Sequence, residues 1–297
     1  QQADVGRLSV LLNDGSGAFS DPVDTFLSAE DPADIALGDF DGDGRDDVVV
    51  TNGGENSGDN TLSVLLSDDD GFGPEKRYLV GDIPAGVAVG DLDQDTNLDI
   101  VTANPKDAMW QSGHTLSVLY GEGDGTFGTW TFLSLGSNSA ENVAIGDFNG
   151  DGMADIAATG GSEGAAGLWF FYGAGSQLFD SPVAVPSGPR PTALALADLE
   201  DDGRPNVITA NIGEDDEGEH ARSLSVINVS PLLTLGLVDP AGSLLTIGVQ
   251  GAGDDATYIS DLIVLSTGTH AVRLTGGHSG QEYAVIVTRG AGIERPG

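Results

Sequence analysis

Four short stretches of this chain place side-chain oxygens at every second position, the pattern that binds a hard cation. The first is Gly38-Asp39-Phe40-Asp41-Gly42-Asp43-Gly44-Arg45-Asp46-Asp47. Counting from its first Asp, positions one, three, five and nine carry Asp39, Asp41, Asp43 and Asp47. The second stretch carries Asp91, Asp93, Asp95 and Asp99, and the third Asp147, Asn149, Asp151 and Asp155. The fourth carries Asp198, Glu200, Asp202 and Asn206. Position seven, Arg45, Asn97, Met153 and Arg204, is expected to offer its backbone carbonyl. Oxygen donors at this density suit Ca²⁺, which accepts six to eight of them in flexible geometry. Mg²⁺ demands stricter octahedral packing and ranks second. With no Cys and four His, zinc and copper are poor fits.

An EF-hand loop opens in the same way but needs a bidentate Glu at position twelve. Here that position holds Val50, Thr102, Ala158 and Thr209, so the EF-hand reading fails at all four stretches. Ordinary acidic hairpin turns are the plainer alternative. That reading must accept several like charges within nine residues for no gain, four times in one phase. The copies are unequal. Thr96 replaces Gly at position six of the second, which strains the turn. Glu200 and the neutral Asn206 make the fourth the weakest expected site.

The elements that hold these loops recur with the same period. The apolar runs starting at Leu8, Leu62, Leu116, Leu168 and Leu224 are spaced by 54, 54, 52 and 56 residues. The acidic stretches are spaced by 52, 56 and 51. Each repeat carries four strand signals: one before the acidic loop, one after it, the Leu-led run, and a fourth after a Gly/Asp turn that ends in Phe. That Phe (Phe19, Phe72, Phe127, Phe179) is read as a plug between neighbouring sheets. Four antiparallel strands per fifty or so residues match a propeller blade.

The phase gives the blades. Leu8 to Phe26 reads as the outer half of a blade. Residues 33 to 80, 85 to 134 and 142 to 186 read as three whole blades, and a fourth runs from near Thr192 to about Val238. Either a C-terminal strand pair closes the ring with the N-terminal hairpin, or the chain is a fragment of a larger ring, which is the favoured reading. After Asp239 the period stops. Leu244 to Val249, Leu262 to Leu265, His270 to Leu274 and Tyr283 to Val287 alternate as strands and suggest a small β-sandwich-like region. The expected fold is therefore all-β: a β-propeller of four to five four-stranded blades over 5–238, then a β-sandwich-like region over 239–297.

Composition narrows the function. The 297 residues carry a net charge of −36, which disfavours nucleic acid and anionic lipid as partners. No run of eighteen apolar residues marks a membrane span. The start Gln1-Gln2-Ala3-Asp4 shows no signal-peptide pattern, as expected of a mature or truncated secreted chain and equally of a cytosolic one. Without cysteine there are no disulfides and no thiol catalysis, so bound metal is the available staple. His114, His220, His270 and His278 share no motif with a nucleophile or acid partner, so no enzyme is expected. Trp110 and Trp130 could stack on sugar rings, but packing is the simpler role.

The unit Val143-Ala144-Ile145-Gly146-Asp147-Phe148-Asn149-Gly150-Asp151-Gly152-Met153-Ala154-Asp155-Ile156 resembles an FG-GAP repeat of the VCBS type, whose related blades form the integrin α-subunit propeller. The resemblance covers about residues 5 to 238. It implies a calcium-stabilised propeller in an extracellular or cell-surface protein that mediates adhesion or recognises a protein or carbohydrate ligand. The alternative it leaves open is an accessory propeller of a larger secreted carbohydrate- or protein-processing enzyme. The stretches from Gly268 to Gly277 and Tyr283 to Val287 resemble the end of a bacterial pre-peptidase C-terminal domain, which implies a non-catalytic sandwich.

Overall fold

The computed structural model describes residues 6–53, 60–69, 71–105, 115–128, 130–136, 139–160, 167–188, 190–201, 203–212 and 223–229, and in the C-terminal part the strand segments between 233 and 275. The described residues are all-β, without a helix. By internal contacts the chain falls into two units, Gln1–Val229 and Ser230–Gly297.

The first unit opens with an antiparallel pair, β1 (Arg7–Val10) and β2 (Val23–Phe26). A four-stranded sheet follows: β3 (Pro32–Gly38), β4 (Asp47–Asn52), β5 (Thr61–Leu65) and, after the small hairpin β6 (Ser67–Asp68) and β7 (Gly71–Phe72), β8 (Lys76–Leu79). The next sheet is β9 (Val87–Gly90), β10 (Asp99–Asn104), β11 (Thr115–Leu119) and β12 (Thr131–Ser134). Then come β13 (Asn142–Gly146), β14 (Asp155–Thr159), β15 (Leu168–Phe171) and β16 (Val183–Val185). The last sheet has three described strands, β17 (Pro191–Ala197), β18 (Asn206–Asn211) and β19 (Ser223–Ile227). Each sheet is a meander in which sequential strands pair, as short turns require. The half-blade and the three whole blades thus fall where the repeat phase puts them. The first strands of successive blades, β3, β9, β13 and β17, lie against one another in chain order.

The second unit holds β20 (Leu233–Val238), β21 (Leu244–Val249), the hairpin β22 (Gly251–Ala252) and β23 (Ala256–Thr257), and β24 (Ala271–Thr275). Its main sheet runs β21-β20-β24. The sequence reading carries the fourth blade to Val238. In the structure Leu233–Val238 pairs with β21 and β24, both later in the chain. The strands expected at Leu262 and Tyr283 lie outside the described residues.

Apolar side chains fill the seams between sheets rather than one central core. Phe127 is the clearest plug: it leaves the second whole blade and packs edge-on against Phe40 and Tyr78 of the first, with ring centroids 5.4 Å apart in each case. Such pairs add about 1 kcal/mol beyond area burial. Phe72 and Phe179 pack in the same sense against the half-blade and the second blade. The plug role expected of this Phe therefore holds at three of its four copies; Phe19 is 62 % exposed.

A buried polar row crosses the middle strands. Asn104 Nδ2 donates to Ser117 Oγ at 2.9 Å, and its Oδ1 accepts from Thr102 at 3.1 Å. Asn211 repeats both bonds with Ser225 and Thr209. Asn52 donates to Ser63, but its buried Oδ1 has no partner, because Val50 stands where the others have Thr. The loop leaving one blade joins the row of the next: the Gly81 N–H donates to Ser117 Oγ at 2.9 Å, and the Gly188 N–H to Ser225 Oγ at 2.9 Å.

Candidate metal centres

Each acidic loop folds around its first Asp. Asp39 Oδ1 accepts from the Gly42 and Asp43 N–H groups at 2.8 and 3.1 Å, and Oδ2 from Gly44 at 2.9 Å. Asp91 receives Gln94, Asp95 and Thr96 in the same way, and Asp147 receives Gly150, Asp151 and Gly152. Asp198 accepts from Gly203 at 2.8 Å. The loop can aim three N–H groups inwards only if positions four and six turn left-handed. They do in every copy, including Gly42 and Gly44 at φ 75° and 86°.

In the second loop those positions are Gln94 and Thr96, at φ 67° and 76°. A β-branched residue is strained there, by roughly 1–3 kcal/mol. The strain read from the sequence at Thr96 is thus a real backbone feature. Thr96→Gly is expected to raise stability by about 1 kcal/mol, less than the strain because Gly also loosens the unfolded chain. An equilibrium urea titration checks this, and a lower midpoint would contradict it.

Positions three and five are oriented by short turns. The Asp43 N–H donates to Asp41 Oδ1 at 3.2 Å and the Arg45 N–H to Asp43 Oδ1 at 2.9 Å. The same pair of bonds recurs at Asp93 and Asp95, and at Asn149 and Asp151. One carboxylate oxygen each from Asp39, Asp41 and Asp43 lies within 4.8 Å of the others, and so do oxygens of Asp91, Asp93 and Asp99. That spread fits ligands about 2.3–2.6 Å from one shared ion. Position seven differs by copy. The Arg45 side chain reaches Asp43 and Asp69, and Asn97 Nδ2 donates to Asp95 Oδ2 at 2.8 Å. Met153 takes part through its N–H.

Position nine is buried in all four loops. Asp47 Oδ2 accepts from the Phe40 N–H at 2.9 Å and Oδ1 from the Ser67 N–H at 2.7 Å. Asp99 joins Leu92 and Gly121, and Asp155 joins Phe148 and Gly173. Each carboxylate bridges the start of its loop to the exit of the blade's third strand. Burial, with neighbouring acids adding to it, pushes Asp155 up to about 7 and Asp99 up to about 6, and raises Asp47. The sequence reading places Ser67, Gly121 and Gly173 at the start of the turns that end in Phe but gives them no part in this bracket. The structure requires Gly at two of these positions: a Cβ on Gly121 would lie 2.3 Å from Leu98 O, and on Gly173 2.4 Å from Ala154 O.

The fourth loop is built from amides. Asn206 Oδ1 accepts from the Leu199 N–H at 2.7 Å, and its Nδ2 donates to Glu200 Oε2 at 2.7 Å and to Asn228 Oδ1. Asn228 Nδ2 donates to Glu200 Oε1 at 2.6 Å. Both Glu200 oxygens are therefore engaged by neutral donors. Arg204 lies against the third loop, its Cδ 3.0 Å from where a Cβ on Gly150 would sit. Asp202 lies outside the described residues.

The loops form a row along one end of the blades. Gln94 Nε2 donates to Gly152 O of the third loop at 2.9 Å, and Gln177 Nε2 to Asp93 Oδ2 of the second at 2.9 Å. Trp130 packs against the seam between the first two whole blades. Trp110, His114, His220, His270 and His278 lie outside the described residues.

The model of the FG-GAP-like repeat family matches four times, over residues 2–50, 39–102, 106–158 and 147–209. Those segments span most of the first unit and more than half of the chain. This chain belongs to the FG-GAP-like repeat family. Two of the matches begin on the first Asp of a loop, Asp39 and Asp147, so the FG-GAP-like unit and the acidic loop share one phase. The matches end at residue 209 and lend no support to the resemblance of the tail to a pre-peptidase C-terminal domain. No curated protein matches this FG-GAP-like chain.

Proposed function

We propose that this FG-GAP-like chain is a non-catalytic, calcium-binding propeller module of a secreted or cell-surface protein, and that it mediates adhesion or recognition of a protein or carbohydrate ligand. The observation that carries the metal reading is the convergence of Asp39, Asp41 and Asp43 oxygens within 4.8 Å. Three carboxylates at that range repel one another unless a cation lies between them. The loop N–H groups orient these side chains before any ion arrives, so little order remains to be imposed on binding. The ion's role is structural: it holds together a loop that brackets two strands. The net charge of −36 argues against nucleic acid as the recognised ligand.

An ion that binds only the folded chain stabilises it by RT ln(1 + [L]/Kd), about 1.4 kcal/mol for one site at a tenfold excess over Kd. Chelation is therefore expected to lower Tm, with Ca²⁺ restoring it more fully than Mg²⁺. A melting curve indifferent to chelator and to both cations would overturn the metal reading. Calcium titration of Asp41→Ala, expected to lose one ion, separates the first loop from the others.

A further inference from the structure

We propose that Gln177, in the third whole blade, is a positioning residue for the metal site of the second: it holds the ligand Asp93 from across the seam, while Gln94 ties the same loop to the third blade. This rests on the calcium reading of the second loop and adds to it a requirement from outside the loop.

Two glutamines stand where the backbone favours glycine. The turns that end in Phe19, Phe127 and Phe179 have equal length, and the residue two before the Phe is left-handed in each. It is Gly17 at φ 94° and Gly125 at φ 72°, but Gln177 at φ 64°. Position four of the acidic loop is Gly42 at 75° and Gly150 at 77°, but Gln94 at 67°. The fourth loop has Asp201 there, at 57°, a residue type that enters this region more readily. Glutamine has no such local help, so a contact elsewhere must offset the strain.

Both glutamines have that contact, and both cross one seam. Gln177 Nε2 donates to Asp93 Oδ2 at 2.9 Å, and Gln94 Nε2 donates to Gly152 O at 2.9 Å. The Tyr120 hydroxyl of the second blade donates to Gln177 O at 3.3 Å, so Gln177 is tied by its main chain as well as its amide. At the preceding seam Gly125 meets the first loop through its backbone. Its N–H donates to Phe40 O at 2.9 Å, and a Cβ there would crowd the Leu66 side chain at 2.5 Å. The third turn thus replaces a backbone contact with a side-chain one that lands on a ligand.

The Gln177 amide is the firmer hold on Asp93, whose other oxygen accepts the Asp95 N–H at 3.2 Å. A carboxylate oxygen accepts at two positions, so the amide leaves room for an ion on Oδ2. A ligand aimed in advance leaves less order to be imposed when the ion binds.

Gln177→Gly and Gln177→Met both remove the amide donor. The first restores the glycine of the sister turns, and the second keeps the side-chain length and the left-handed strain. In a calorimetric calcium titration both are expected to weaken the second site about tenfold and leave the other sites unaltered. Asp93→Ala, which removes a ligand, marks which ion is the second site's. In chelator, the urea midpoint of Gln177→Gly is expected to be no lower than the parent's, because strain is relieved as an exposed hydrogen bond is lost. A purely structural role would lower that midpoint and leave calcium affinity unaltered, which overturns the proposal. So does equal weakening of the third site, whose Asp155 holds the Gly173 N–H at the start of the same turn, since the turn and not the amide would then be responsible. A parent that binds no calcium overturns the metal reading as well, whereas a parent that binds and variants that match it overturn the positioning role alone.

Discussion

Replacing Asp155 by Ala is expected to cost about 3–5 kcal/mol and to lower Tm by roughly 10 °C, with Asp99→Ala close behind. Both oxygens of Asp155 hold backbone N–H groups, those of Phe148 and Gly173, at 2.9 and 2.8 Å. Ala leaves both donors in a dry seam. Each orphaned donor costs about 1–3 kcal/mol, and the bonds lost are charge-assisted when the carboxylate is ionised. Asp155→Asn is expected to fall about halfway. Its oxygen can serve Phe148, as Asn206 serves Leu199, but its NH₂ then faces the Gly173 donor. Urea denaturation of the three proteins measures the series, and an Ala variant within half a kcal/mol of the parent would sink the bracket.

The same residue sets a pH signature. Without metal, burial raises Asp155 to about 7 and Asp99 to about 6, above the value near 3.9 of an unfolded aspartate. Between about pH 4 and 7 the folded chain then holds more protons than the unfolded one. Stability is highest at the acid end and falls as pH rises through the folded values. Bound Ca²⁺ requires the ionised carboxylate, so it reverses the slope. Urea midpoints at both ends of this window, in chelator and in Ca²⁺, read the sign. An unreversed slope would remove position nine from the ligand set.

Gly53→Ala is the second large effect, about 3 kcal/mol or more. A Cβ there would lie 1.8 Å from Pro84 O and 2.7 Å from Pro84 C, both backbone atoms that no rotamer change can move. Thr51 fixes that backbone by donating to Ala85 O at 2.9 Å, and Asp34 fixes it by accepting from the Val87 N–H at 3.0 Å. The substitution must therefore part the first two whole blades. Gly90→Ala meets only the Ile145 side chain, at 2.9 Å, and is expected to cost about 1–2 kcal/mol. Ala197→Gly is expected to cost less than either. Thermal unfolding ranks the three, and a tolerated Gly53→Ala would mean that the seam yields more than its hydrogen bonds imply.

Much of the fold was legible because two landmarks, the acidic loop and the Leu-led strand, keep one period. That placed the half-blade and three whole blades within a few residues. The loop's inward N–H groups were foreshadowed by Gly42 and Gly44, and the strain by Thr96. The division of labour among the acids was not legible. Asp39 and Asp47 look alike in sequence, but Asp47 is buried by a partner twenty positions on, Ser67, which no local pattern announces. Leu233–Val238 was assigned to the fourth blade because the repeat phase expects a fourth strand there. Its partners lie downstream, and phase says nothing about partners.

Repeats built on one strand pattern carry a hazard while they fold, since the third strand of one blade can zip onto the second strand of another. The third blade guards against this. Trp169 pairs with Ala158 there, where the second and fourth blades pair Ser117 with Thr102 and Ser225 with Thr209. A strand bearing Trp169 would overfill the site opposite Thr102, and one bearing Ser117 would leave a hole opposite Ala158. The exchange of bulk between two facing positions works as an address for the third blade, setting its strands apart from the Ser–Thr pairs of the second and fourth.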